Sequence, residues 1–339
     1  MKMSKKLSVA VAGLGRIGWQ AHCPELKKNK FYSLDAVCDS VRNRCNEAES
    51  TFKCKSYQSF DDMLKHDGLE VVVIATPTHL HKEHCIKAFK AGLHVILEKP
   101  MALNYKESQS IVRAAKRYSR LITVYQPHRV LSYYQQLKHI LSKGQIGEIV
   151  EVRRGMFNYV QRNDWQSLKK YGGGMLMNYG AHCIDQLFDL TGSQIKKVFS
   201  KCSRILSLGD AEDYVKIVYE TKNGIIADLE INQACNSPLY EIDVIGKLGT
   251  LRYASGVFTL KYVKGGVLPH KELNTSLASE GRVYPFDKIA MVEKTIKLSD
   301  KYSINFHSQF AKALHNKEPL LVPPEDTLAV MKFINSIGE

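Results

Sequence analysis

The chain of 339 residues contains no apolar run approaching the ~20 residues that a membrane-crossing helix needs. No membrane association is therefore expected. Its eight cysteines are scattered, at Cys23, Cys38, Cys45, Cys54, Cys85, Cys183, Cys202 and Cys235, and none stands in a C-x-x-C pair. That spacing argues against a disulfide framework and fits a reduced compartment. Internal repeats and low-complexity segments are also missing. The start, Met1-Lys2-Met3-Ser4-Lys5-Lys6, is basic and leads directly into an apolar strand, so no secretory leader is expected. A cytoplasmic protein is expected. Acidic residues are in deficit, 34 against 48 lysines and arginines, for a net charge of +14. The basic residues are spread along the chain, and the densest stretch, 113–120, reads as one exposed helix face. Without a recognised nucleic-acid module, this charge points to a solvated basic surface and a phosphate-binding cleft rather than to nucleic acid.

What is present is concentrated in residues 9–18, Val-Ala-Val-Ala-Gly-Leu-Gly-Arg-Ile-Gly. The apolar run reads as a buried parallel strand, and Gly13, Gly15 and Gly18 form G-x-G-x-x-G at the turn into a helix. The first glycine permits the tight turn, the second lets backbone approach a pyrophosphate, and the third allows close packing. Arg16 and Ile17 sit in that turn, whose backbone N–H groups suit phosphate. Asp39 ends the next apolar run, near the ~20-residue offset expected of an acid that binds ribose hydroxyls. Ser40, Arg42 and Arg44 follow it and suit a 2′-phosphate, so NAD is expected with NADP as the alternative.

Strands and helices alternate through the first third. Strands are predicted over 69–75, 94–97 and 121–125, and helices over 81–91 and 105–118. That rhythm implies βαβ units in a doubly wound parallel sheet, an α/β Rossmann domain over 1–126. After Gln126 a helix over 132–143 gives way to strands at 148–159, 198–206, 213–220, 225–233, 240–245 and 250–253, with an Asn223-Gly224 hairpin turn. Residues 127–339 are therefore expected to form an α+β domain with a large, open, mainly antiparallel sheet for substrate binding and oligomerisation. The helices of 304–339 are left able to pack back on the first domain. Residues 264–284 read as loop.

Three further clusters carry chemistry. Ala75-Thr76-Pro77 and Glu98-Lys99-Pro100 follow strands, at the ends where open α/β sheets bind ligands. Gly172-Gly173-Gly174 opens a helix on which Asn178, His182 and Asp185 are expected to share one face. His79, His81, His84 and Cys85 hint at metal, but catalytic zinc needs three protein ligands with an open position, and no metal is expected. Trp165, Lys169 and Lys170 either line a pocket or form a solvated loop anchored by one aromatic.

Taken together, the glycine turn, Thr76-Pro77, Glu98-Lys99-Pro100, residues 126–129, the Gly-x-His-x-x-Asp of 180–185 and Val322-Pro323-Pro324-Glu325-Asp326 resemble the glucose–fructose oxidoreductase, inositol dehydrogenase and rhizopine-catabolism (Gfo/Idh/MocA) family. The resemblance runs through nearly the full length. It implies a Rossmann domain for NAD or NADP, a substrate domain with an open sheet, and active-site roles for Lys99 and His182. It also implies a cofactor-binding set of Gly13, Gly15, Arg16, Ile17, Gly18 and Asp39, joined by Ala75, Thr76, Pro77, His81, Glu98, Lys99 and Gln126. Asn178, Asp185, Trp165 and Arg129 are the expected substrate-binding residues, Asp185 with the alternative of capping and orienting within its helix. Asn178 departs from the family's aspartate, and a neutral amide accepts no proton at neutral pH. Thr78 departs from the family's asparagine but keeps a hydroxyl.

The expected function is hydride transfer between NAD(P) and a secondary hydroxyl of a sugar, cyclitol or sugar derivative. His182 would be the base and Lys99 the stabiliser of alkoxide charge. The alternatives are a redox-cycling sugar lyase or glycosidase with retained NAD, and a non-catalytic nucleotide-binding regulatory protein. A homo-oligomer formed through the open sheet is also expected.

Overall fold

A computed structural model describes residues 5–237, 240–273, 275 and 288–337. Much of the predicted loop 264–284, namely 274 and 276–284, lies outside them. The chain forms two compact units, one of Met1–Leu131, Leu168–Phe188 and Ile304–Glu339, the other of Ser132–Ser167 and Asp189–Ser303. They do not follow a single cut in the sequence: the segment carrying Asn178, His182 and Asp185 belongs to the first.

The first unit is built on six strands: β1 (Leu7–Ala12), β2 (Tyr32–Cys38), β3 (Lys55–Tyr57), β4 (Val71–Ile74), β5 (His94–Leu97) and β6 (Ile122–Val124). All pair in parallel in the order β3-β2-β1-β4-β5-β6. The apolar runs of β4, β5 and β6 are continuous because both faces are buried. Val9 and Val11 of β1 and Val71 and Val73 of β4 enter one core with Leu26, Phe306 and Phe310. The intervening Ala10, Ala12, Val72 and Ile74 enter a second core with Phe89, Ile111 and Met331. The helix Phe306–Asn316 thus contributes to one face and Pro324–Ile337 to the other. Asn104 caps the helix Tyr105–Arg117 by accepting from Glu107 N–H at 2.9 Å. Strand order reverses between β1 and β4, so the carboxyl ends there flank the crevice where such sheets bind ligands.

The second unit holds eight strands: β7 (Ile149–Phe157), β8 (Ile195–Ser203), β9 (Tyr214–Thr221), β10 (Ile226–Asn232), β11 (Ile242–Gly246), β12 (Gly249–Ala254), β13 (Val257–Val263) and β14 (Met291–Lys297). Their order is β14-β13-β12-β11-β7-β10-β9-β8. Every pairing is antiparallel except β7 with β10, so the sheet is mixed at its centre. Strands β9 and β10 alternate buried with half-buried residues, the signature of one covered face. The other face carries charges in register. Lys216 pairs with Asp228 at 2.7 Å and with Glu230 at 3.2 Å, while Arg252 forks onto Asp243 through two 2.8 Å bonds. Tyr133, on the helix Ser132–Leu141, stacks on Tyr253 of β12.

Candidate active site

The glycine turn leaves β1 where the sheet order reverses. Gly13 has φ +95°, and a Cβ there would lie 2.4 Å from Ala75 O, so only glycine fits between the turn and the loop after β4. A Cβ on Gly18 would lie 1.9 Å from Gly13 O, which makes the third glycine a close-packing residue. At Gly15 a Cβ would meet nothing within 4 Å, and Arg16 and Ile17 beside it are exposed. Asp39, at the end of β2, is buried, with Leu14 N–H donating to Oδ2 at 2.8 Å and Val41 N–H to Oδ1 at 2.9 Å. Glycine turn, Ala75-Thr76 and Asp39 are thus brought together, with backbone open to a ligand at Gly15.

Two residues expected at the cofactor, His81 and Glu98, have buried partners within the protein. Both ring nitrogens of buried His81 face backbone carbonyls, Nδ1 at 3.0 Å from Pro100 O and Nε2 at 2.8 Å from Thr76 O. His81 therefore braces one loop against the other, and burial holds its pKa below the ordinary value despite those carbonyls. Glu98 is also buried, its Oε1 2.9 Å from His22 Nε2 and its Oε2 accepting from Lys99 N–H at 3.1 Å. His22 Nδ1 lies 3.0 Å from His307 Nε2, and burial, then His22, keep His307 well below its usual pKa. Glu98 is spent on orienting the strand end that presents Lys99.

Lys99 Nζ donates to Asn178 Oδ1 at 2.9 Å and to Asn178 O at 3.2 Å. The helix carrying Asn178 begins with a π-helical turn, Leu176–Gly180, before the regular Ala181–Thr191. Each of the three expected polar residues on it takes its own partner. Asn178 meets Lys99, His182 Nδ1 bonds Gln126 Oε1, and Asp185 takes the Arg129 guanidinium as a fork, Nε–Oδ2 2.6 Å and Nη2–Oδ1 2.9 Å. With the Gln126 carbonyl facing it, Nδ1–H donates, and the basic lone pair of neutral His182 lies on Nε2.

Arg129 and Asp185, expected at the substrate, are each other's partners in this geometry. Both are buried, and Arg129 also donates to Asp326 Oδ2 at 2.8 Å and to Leu321 O at 3.3 Å. They fasten the His182 helix to the segment after β6. Gln126, expected at the cofactor, bonds His182 and so fixes its tautomer. Trp165 is exposed and belongs to the second unit. A residue not among those expected, His128, stacks its ring on His182 with centroids 4.4 Å apart. Its place in the segment 126–129 was the available signal. Among the described residues no group of three His, Cys, Asp or Glu side chains is arranged to hold a metal ion.

Two neutral histidines of the first unit make stability pH-dependent. His84 lies 3.1 Å from Thr76 Oγ1 through Nδ1, and His94 Nδ1 accepts from Leu121 N–H at 2.9 Å. Burial holds both near a pKa of about 4, against 6.5 when unfolded. The unfolded chain therefore takes up protons first, so their stabilising effect is complete above about pH 6.5 and is lost as pH falls toward 4. Thermal unfolding across pH should show a midpoint that drops through this window, and a smaller drop in His94→Gln. A midpoint unchanged down to about pH 4.5 would contradict this.

The NAD-binding Rossmann model of the GFO_IDH_MocA oxidoreductase family matches residues 7–126, and the GFO/IDH/MocA C-terminal domain model matches 134–252. Glucose-6-phosphate 3-dehydrogenase of Bacillus subtilis is 27% identical over 268 residues, 73% of this chain and 74% of its own length. The NADP-dependent scyllo-inositol 2-dehydrogenase of the same organism is 27% identical over 189 residues, 55% of this chain and 52% of its own. A solved NAD-binding protein from Listeria innocua superposes with a TM-score of 0.82 at 26% identity, covering 98% of this chain and 94% of that one. The matched stretches span 52% to 74% of these curated relatives. With both halves of the architecture matched, the chain belongs to the Gfo/Idh/MocA family of NAD-binding oxidoreductases.

Proposed function

We propose that the protein is an NAD(P)-dependent dehydrogenase acting on a secondary hydroxyl of a sugar, cyclitol or sugar derivative. The observation that carries this reading is Lys99, held at the carboxyl end of β5 by Asn178, on the helix whose His182 has its tautomer set by Gln126. The substrate class draws on the relatives named for glucose 6-phosphate and scyllo-inositol. Residues present fit a dinucleotide: the turn is open at Gly15, and the Asp39 carboxylate is pinned beside it by Leu14 N–H. When bound, the nicotinamide supplies the hydride acceptor. His182 Nε2 takes the hydroxyl proton. The Lys99 ammonium donates to the same oxygen and stabilises the negative charge that develops on it. Supplying the protein with NAD and a panel of sugars and cyclitols tests the reading, through formation of reduced cofactor and ketone in equal amounts.

Asp39 favours NAD by accepting from ribose hydroxyls and repelling a 2′-phosphate. Arg44 Nη1 lies 3.4 Å from its Oδ2, while Arg42 donates to Gln58, so the nearby arginines do not neutralise it fully. Titration of both cofactors should give the tighter Kd for NAD. NADP binding tighter by about tenfold or more would overturn this preference.

Asn178 marks the departure from the family pattern, and its partner here is Lys99. Asn178→Asp should keep activity and move the alkaline limb of the pH–rate profile upward, because a carboxylate beside an ammonium favours its charged form. An alkaline limb that stays in place would exclude the ammonium as its source.

A homo-oligomer joined through the open face of the eight-stranded sheet also belongs to this reading. The in-register charges of that face and exposed Phe199 on the edge strand β8, opposite Val218 of β9, support it. A cytoplasmic location belongs to the same reading, and no helix among the described residues is long and apolar enough to cross a membrane.

A further inference from the structure

The segment after β6 sets a second imidazole against His182. The His128 and His182 rings are nearly parallel, 9° between planes and 4.4 Å between centroids. Three neighbouring contacts hold them there. Gln126 takes His182 Nδ1, the His128 carbonyl accepts from Gln186 Nε2 at 2.9 Å, and Arg129 forks onto Asp185. Buried Arg129, Asp185 and Gln186 make the stack a built feature rather than a chance approach of surface rings.

Two neutral imidazoles in this arrangement make an ordinary aromatic contact, and one proton adds a cation over a ring face. Two protons would put like charges at van der Waals separation in a site partly closed to water, which opposes the second protonation. The charged groups on the elements around the stack are Lys99 at the end of β5, Asp185 on the His182 helix, Arg129 beside His128, and Asp326 on the helix Pro324–Ile337. Lys99 donates to Asn178, and both carboxylates bond the Arg129 guanidinium.

We propose that His128 is a positioning residue that limits the stacked pair to one proton near neutral pH, so that an imidazole remains able to accept the substrate's proton. This rests on the reading of His182 as the base. The two rings then titrate as a coupled pair, each over two separated steps.

The test is a pH titration of the imidazole ring signals by NMR on the full chain, for wild type, His128→Phe and His128→Gln, with pH–rate profiles alongside. His128→Phe keeps a stacked ring that carries no proton, and His128→Gln serves if that variant folds poorly. In either variant His182 should titrate in a single step, its midpoint higher by about half a pH unit or more. The acid limb of kcat should rise with it. Identical His182 titration in wild type and variants, or two independent single-step titrations in wild type, would overturn the coupling. A shifted His182 titration with an unmoved acid limb would leave the coupling standing and refute His182 as the base.

Discussion

Lys99→Ala should abolish measurable turnover while leaving the Kd for NAD nearly unchanged. The ammonium is presented by a strand end that is itself fixed: Glu98 Oε2 accepts from Lys99 N–H, and Glu98 Oε1 is tied to buried His22. Its two contacts with Asn178 hold Nζ in place before substrate arrives, so little reorganisation is needed as charge develops. Removing a single preorganised donor of this type costs about 10²–10³-fold in kcat, and a charged donor belongs at or beyond the upper end. The glycine turn and Asp39, which carry the proposed affinity for the dinucleotide, involve neither Nζ nor Asn178. Steady-state kinetics and a direct cofactor titration separate these outcomes. Full activity in Lys99→Ala would reduce the lysine to a structural group, and a parallel collapse in NAD affinity would place it at the cofactor instead.

His182→Ala should lower kcat by about 10²–10⁴-fold, the usual cost of deleting a general base, with a smaller change in KM. Gln126 holds Nδ1, so the proton-accepting lone pair of the neutral ring is on Nε2. Gln126→Ala should produce a lesser loss of the same kind, since it frees the tautomer without removing the base. Stopped-flow measurement of the chemical step in both variants provides the check. Near-wild-type rates in His182→Ala on a proven substrate would show that the proton leaves by another route.

The contrast between what was readable and what was not follows from the range of the interactions. The Val-rich strands, the glycine turn and Asp39 are local patterns, and β1 and β4 are buried on both faces as their continuous apolar runs require. Strand β3, three residues long, carries too few positions to show a period. Strand β14 is largely exposed, so it lacks the alternation that marks a half-buried strand. The pairings among the candidate site's polar side chains were not legible. Arg129 finds Asp185 across 56 positions, and His22 meets His307 across 285. No local pattern says whether a polar side chain faces a ligand or a buried counterpart.

The central claim is net oxidation of a carbinol, with the proton passing to this protein's own base. Its most direct test is one incubation of the purified protein with NAD and an oxidisable sugar or cyclitol, following reduced nicotinamide and carbonyl product together. The account predicts that the two accumulate in equal amounts with each turnover, and that neither forms with His182→Ala on the same timescale. Sugar converted by elimination or glycosidic cleavage without accumulating reduced cofactor would instead make this a redox-cycling lyase or glycosidase. Tight NAD binding with no conversion of any sugar or cyclitol would contradict the enzymatic account and leave a nucleotide-binding regulatory protein.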